Sequence, residues 1–385
     1  LAAAGIIYLD HQAHSPIDPR VLRSLHDAYR HCDFNPHSAH GPGEVAKSAL
    51  EGAREKVAGL IGASAAEIIL LSGATEANNL AFAGMAPSLR RAGRTRILVS
   101  AGEHPSVLAA AEAMDGFKVE RLSLNSDGLV DLTRLEAMLG TDVGLVSVAL
   151  ANHEVGSVQL IDRIAPLTMA AGALLHSDLA QAAGKVPVCA GDLDLASLSS
   201  HKMGGPSGVG ALYIRRRLRR RLVPVLVGGG QEGGARAGTV PVPLCVAFGT
   251  ACGIAAREMR ANNAQIASLR DGLLDAFRRI GRVVVNGGME HRLAGNLNVS
   301  FAGIDGEALV VALRERIAFS TGSACTSTAL EPSHVLLAIG ADPARARGAV
   351  RFGLGPATTA AEIAEAAEAV GAAVRSLRAM NREVA

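Results

Sequence analysis

Apolar positions along the chain follow two rhythms. In EVAKSALEGAREKVAGLI (44–61), Ala46, Ala49, Leu50, Ala53, Val57, Leu60 and Ile61 recur three and four residues apart, which predicts an amphipathic helix. Between such segments stand short runs with little polar alternation: EIILLSG from 67, RILVS from 96, VGLVSVALAN from 143, GALLHSD from 172, DLASLSSHK from 194 and GVGALYI from 208. Continuous apolar strands are buried on both faces, so the alternation predicts an α/β unit with a mostly parallel sheet covered by helices on both sides. Past residue 256 the pattern changes to a long helix through ACGIAAREMRANNAQIASLRDGLLDAFRRI, short strands near VVVNG and GNLNVSF, and a last helix. That helix opens with a Thr359–Glu362 capping box and runs apolar through Ile363, Ala367, Val370, Val374 and Leu377, as in a smaller α+β domain.

Composition narrows the class. The chain has 385 residues, 49% of them hydrophobic and 19% charged, with a net charge of +2, which excludes disorder and gives no nucleic-acid footprint. Its length fits two domains with a cleft between them. The five cysteines, Cys32, Cys189, Cys245, Cys252 and Cys325, are odd in number and form no C-x-x-C pair. That argues against a disulfide framework or a zinc ribbon, and a reduced cytoplasm is expected. No apolar run approaches about 18 residues, so no membrane span is expected. The start, LAAAGIIYLDHQ, lacks the basic flank of a signal peptide, and Leu1 suggests a trimmed, processed or unusually initiated beginning. The arginines of RRRLRRR (215–221) offer either a solvated turn or a docking patch for an acidic partner.

Candidate chemistry collects at the ends of the strand-like runs, where α/β sheets bind ligands. Those ends carry Asn152 and His153, then Asp178, then His201 and Lys202. GGGQEGG satisfies G-x-G-x-x-G at Gly228, Gly230 and Gly233, but Pro241 and Pro243 follow and no helix opens there, so a flexible loop is expected rather than a dinucleotide site. LLSGATEANNLAF is better placed: a strand ends at Leu71 and helix formers begin at Thr75, so backbone N–H groups near Ala74 and the Thr75 hydroxyl could bind phosphate. His11/His14 and His37/His40 have ligand-like spacing but neither a clear helical nor a Cys-rich context, and no metal is expected. Cys325 lies among small polar residues in STGSACTSTALEPS, where its thiol is either incidental or a nucleophile.

Together the segments YLDHQAHSPIDP, NPHSAHGPG, SGATEANN, EHPSVL, NHEVGSVQ, HSDLAQAAGK, SSHKMGGPSGVGALY, GGGQEGGARAGT, TGSACTSTALEPSHVL and RFGLG resemble, in order and over nearly the whole chain, the NifS/IscS-like cysteine desulfurases. These are pyridoxal 5'-phosphate enzymes of the class V aminotransferase group with fold type I. The resemblance implies a large cofactor-binding domain, 15–255, and a small domain, 1–14 and 256–385, carrying a cysteine loop. It makes Lys202 the Schiff-base lysine and proton-moving base, Asp178 the partner of the pyridine nitrogen and Gln181 the donor to the ring hydroxyl. His104 becomes the stacked histidine, His153 a cofactor contact, and Ala74, Thr75, Ser199 and His201 the phosphate cradle. Thr239 matches a phosphate contact crossing from a second subunit, which implies a homodimer, and Asn35 with Arg351 matches the substrate-carboxylate site. Cys325 matches the cysteine that takes sulfur from L-cysteine, leaving L-alanine, and passes it to an acceptor such as an iron–sulfur scaffold or a thiolation partner. Its loop, poor in apolar side chains, is expected to be poorly ordered without a partner.

Four departures accompany the resemblance. His153 stands where a second asparagine is usual, with a titration near pH 6.5 expected for it; Ser207 replaces a common lysine, Gly353 a frequent serine, and His14 with Ser15 two threonines. They leave open a selenocysteine lyase, an aminotransferase-like enzyme or a weakly active sulfur-assembly scaffold.

Overall fold

The computed structural model describes residues 5–321 and 332–383. Seven strands form the main sheet in the spatial order Ile68–Leu71, Gly210–Ile214, Leu195–Ser199, Leu174–Asp178, Val143–Ser147, Arg96–Ser100, Lys118–Leu122. All run parallel except Gly210–Ile214, which is antiparallel to both neighbours. The α/β expectation therefore holds, and all six apolar runs are strands. Lys118–Leu122 was illegible because KVERL is a polar edge strand with one fully buried side chain, Leu122.

Apolar cores fill both faces of this sheet. One packs Leu50, Val57 and Ile61 of helix Gly41–Ile61 with Leu98, Val146, Leu175 and Leu198; the other packs Phe82, Met85 and Leu89 of helix Ala74–Arg91 with Val99, Leu145 and Leu212. A further core joins Ile7, Leu9, Leu273, Phe277, Val299, Phe301, Phe352 and Val374. It sits on a three-stranded antiparallel sheet, Ala349–Gly353, Asn296–Phe301 and Val283–Val285, beside the parallel pair Ile7–Tyr8 and Ile317–Ala318. Helix Val242–Ile280, 39 residues, links the cores: Phe248 and Cys252 enter the first, Leu273 and Phe277 the last. It is long and apolar enough to pass for a membrane span, but its apolar side chains are spent on these contacts.

Several loops carry specific ties. The GGGQEGG segment is not the flexible loop expected of it: Glu232, with φ 50°, is buried, accepts from Arg54 at 2.6 and 2.8 Å and from the Leu70 amide at 2.8 Å. In the 215–221 run, Arg217 pairs with Asp194 at 2.8 Å, Arg219 donates to the Ala66 and Glu232 carbonyls and Arg221 donates to Ser88, so much of its charge is spent inside the molecule. Thr359 and Glu362 form the expected reciprocal cap of helix Ala360–Glu383.

Candidate active site

Strand pairing assembles the first part of the site. Gly210 is in register with Leu71 on one side and Ser199 on the other, so the turn before helix Ala74–Arg91 and the turn after Ser199 leave the sheet together. A Cβ on Gly210 would stand 2.4 Å from the Leu198 carbonyl and 2.6 Å from Gly73 Cα, so only glycine permits the approach. The helix begins at Ala74 without a side-chain cap, and Thr75 is exposed at its first turn. Its free amide ends thus lie near Ser199 and the short turn Ser200–Lys202, a geometry that suits an anion.

Beyond this edge runs a chain of buried and half-buried hydrogen bonds. The Asp178 carboxylate, at the end of its strand, accepts from the Asn78 amide at 3.0 Å and from the Ala180 N–H at 2.8 Å. Asn78 also donates to Ser106 Oγ at 2.9 Å, and Ser106 Oγ lies 2.8 Å from His104 Nδ1. His104 caps helix Pro105–Glu112. Burial, then the Lys202 and His334 charges, lower its basicity against the opposing pull of Asp178.

Lys202 Nζ donates to the Gln12 carbonyl at 2.8 Å and the Ala13 carbonyl at 2.7 Å. Gln181 donates to the same Gln12 carbonyl at 2.8 Å and accepts from Lys185 Nζ at 3.2 Å. Burial pushes Lys185 down to about 7, helped by the Lys202 and Arg351 charges.

Arg351, on strand Ala349–Gly353, is buried and donates to the His153 carbonyl at 2.8 Å, to Asp10 at 3.0 Å and to Ser320 Oγ at 2.9 Å. Its Nε has no partner among the described residues. The His153 ring stands edge-on to His104, with centroids 5.3 Å apart, and 6.5 Å from the His334 ring. Burial, with the surrounding positive groups, carries its pKa well below 6.5, so the expected titration near that value gives way to a permanently neutral imidazole at neutral pH. Gly353, unusual by resemblance, lies close to backbone: a Cβ there would stand 2.8 Å from the His11 backbone nitrogen and would also displace the Gln12 amide.

Most expected residues converge. Asp178, His104, His153 and Arg351 form one chain of hydrogen bonds and ring contacts, Lys202 and Gln181 share the Gln12 carbonyl, and Ala74, Thr75, Ser199 and His201 frame the adjoining edge. No hydrogen bond among the described residues joins Asn35 or Thr239 to these groups. Asn35 is exposed between two helices and accepts from the His37 amide at 3.0 Å, with no hydrogen bond to Arg351; Thr239 is exposed. Cys325 and its loop lie outside the described residues.

The sequence reading passed over Asn78, Ser106, Glu103, Glu154, Lys185 and His334. Burial pushes Glu103 up to about 8 and Glu154 up to about 7; Glu154 accepts from Ser333, and His334 lies 3.0 Å from the Glu103 carbonyl. A usable signal existed for Asn78, a polar side chain on the helix face shared with Ala77, Ala81 and Met85.

Five buried polar atoms lack partners among the described residues: Gln12 Oε1, Asn78 Oδ1, Glu103 Oε2, Ser200 Oγ and Arg351 Nε. Each belongs to, adjoins or bonds an expected site residue, which is where a polar small molecule would satisfy them. The Asp178 carboxylate, the His104 imidazole tied to it through Asn78 and Ser106, and the uncapped helix start suit a polar, anionic small molecule.

The aminotransferase class-V family model matches residues 7–365. The chain is 45% identical over 380 residues to the mitochondrial cysteine desulfurase of Eremothecium gossypii, covering 97% of this chain and 77% of that protein. It is 43% identical over 378 residues to cysteine desulfurase IscS of Rickettsia bellii, covering 97% and 92%. A solved NifS-like protein superposes with a TM-score of 0.90 at 34% identity, covering 96% and 99% of the two chains.

Proposed function

Because the chain belongs to the class-V aminotransferase family, and within it to the cysteine desulfurases, we propose that Lys202, Cys325 and the residues gathered at the sheet edge convert L-cysteine to L-alanine and a persulfide on Cys325. The observation that carries this is the hydrogen-bond chain Asp178–Asn78–Ser106–His104, with the Lys202 charge acting on His104.

Pyridoxal phosphate, when bound, supplies a carbonyl for amine condensation and a ring that withdraws electrons from the substrate Cα. Lys202 would hold it covalently and move the Cα proton; Asp178, kept in orientation by Asn78, would face the ring nitrogen. Gln181, oriented by Lys185, would donate to the ring hydroxyl, and His104 and His153 would line its face. Ala74, Thr75, Ser199 and His201 would hold the phosphate. The unpartnered Nε of Arg351 supports a role in binding the substrate carboxylate, with Asn35 as its companion. In the net step the Cys325 thiolate bonds the substrate sulfur, the Cβ–S bond breaks, and its electron pair takes a proton at Cβ to give alanine.

The same proposal covers a homodimer, supported by exposed Thr239 and the exposed apolar stretch Val223, Val225, Leu226 and Val227. It also takes 15–255 as the cofactor-holding domain and 1–14 with 256–385 as the smaller one, in line with the separate apolar cores. The four described cysteines are free, as suits a reducing, cytoplasmic setting, and the persulfide would pass to an iron–sulfur scaffold or thiolation partner.

Purified protein incubated with L-cysteine and pyridoxal phosphate should release alanine, and Lys202→Ala should lower that rate about 10³-fold or more while circular dichroism shows it still folded. Alanine no higher than in a cofactor-only control, or a borohydride-fixed pyridoxyl group on another lysine, overturns the assignment.

A further inference from the structure

The segment before the first helix is fastened along the Lys202 turn. Ser15 N donates to the His201 carbonyl and Ser15 Oγ to the Lys202 carbonyl, both at 3.0 Å, while Lys202 Nζ returns bonds to Gln12 and Ala13. Asp18 N donates to the Gly204 carbonyl at 2.9 Å, and the carbonyl of His14 itself accepts from Tyr8 at 2.8 Å. His14 is thereby held above the turn, and its Nδ1 lies 3.2 Å from His201 Nδ1.

Two Nδ1 atoms at that distance share a single hydrogen, which sits on one ring or the other. His201 is neutral at pH 7: burial, then the charges of Lys202, His14 and Lys185, lower its pKa to about 4. A neutral imidazole has one donor and one acceptor nitrogen. If His201 Nδ1 kept the hydrogen, Nε2 would present a bare lone pair to any oxyanion. If His14 donates instead, His201 must carry its hydrogen on Nε2, which makes no hydrogen bond to the described residues.

We infer that His14 is a positioning residue: it donates to His201 Nδ1 and so fixes the tautomer whose Nε2–H binds the phosphate of the bound cofactor. This rests on the placement of His201 in the phosphate cradle proposed above. His14 is exposed, so water satisfies its other ring nitrogen when Nδ1 donates to His201.

The test compares pyridoxal phosphate with pyridoxal, which lacks the oxyanion, binding to full-length apoenzyme. His14→Leu should weaken pyridoxal phosphate about five- to tenfold, the worth of one hydrogen bond, and leave pyridoxal unchanged. His14→Asn, whose amide reaches about as far as Nδ1, should restore most of the loss. Nitrogen-15 spectra of the loaded enzyme should show His201 as the Nε2–H tautomer in wild type and Asn variant, and a mixture in the Leu variant. Equal weakening of both ligands would mean that His14 merely braces the segment, and unchanged affinities or an Asn variant that behaves like Leu would equally overturn the inference. A wild-type chain that binds neither ligand overturns the cofactor assignment itself.

Discussion

The wiring behind the sheet edge and the ties on either side of residues 322–331 both serve one site, but they hold it by different physics. At the sheet edge, Asp178, Asn78, Ser106 and His104 sit on three elements, and the hydrogen bonds run from the Asp178 carboxylate through two neutral side chains to an imidazole whose protonation burial disfavours. Around 322–331 the ties involve ionisable groups: Ser320 donates to Asp10, which also pairs with Arg351, and Ser333 donates to Glu154. A packed hydrogen-bond network holds its members rigidly. Ties made by buried acids and an arginine change with protonation and with the loss of one partner.

The largest effect outside Lys202 is expected where the second region meets substrate. Arg351→Gln removes the charge-assisted bonds to Asp10 and to a carboxylate, and should raise KM for L-cysteine about 10- to 100-fold. A variant with unchanged KM would remove Arg351 from substrate binding.

Titration sharpens the contrast more gently. Glu154 is raised from 4.5 to about 7, so between those values the unfolded chain ionises it while the folded chain does not, and its contribution to stability falls as pH rises. His153 is lowered from 6.5, so it penalises the folded state as pH falls below that value. Glu154→Gln should gain thermal stability relative to wild type between pH 5 and 8, and His153→Asn should gain it in the opposite direction, toward low pH. Melting curves across that range that run parallel to wild type would contradict both shifts.

The smallest effect belongs outside both regions. Thr359→Ala deletes the cap of the last helix and should cost about 1 kcal/mol of stability with alanine production unchanged. A change in rate would tie that helix to the site after all.

How much of this was readable in one dimension follows from where each interaction lives. The apolar runs, the helical stripe of 44–61 and the Thr359–Glu362 cap are local, so period and spacing sufficed for the α/β class and for the strand ends that carry Asp178, His201 and Lys202. Motif order then named the chemistry. What folding alone decided were the contacts across long separations: Gly210 bringing Gly73 beside Ser199, Asn78 reaching Asp178, Arg351 meeting Asp10, and Ser333 meeting Glu154. Glu232 read as part of a loose glycine loop because nothing nearby in sequence announces Arg54, and His153 read as an ordinary titrating histidine because its neighbours and its burial come from three other segments. Periodicity records which face a residue turns inward; it does not record what waits there, and desolvation and pairing, which set the chemistry of a buried polar group, depend on that.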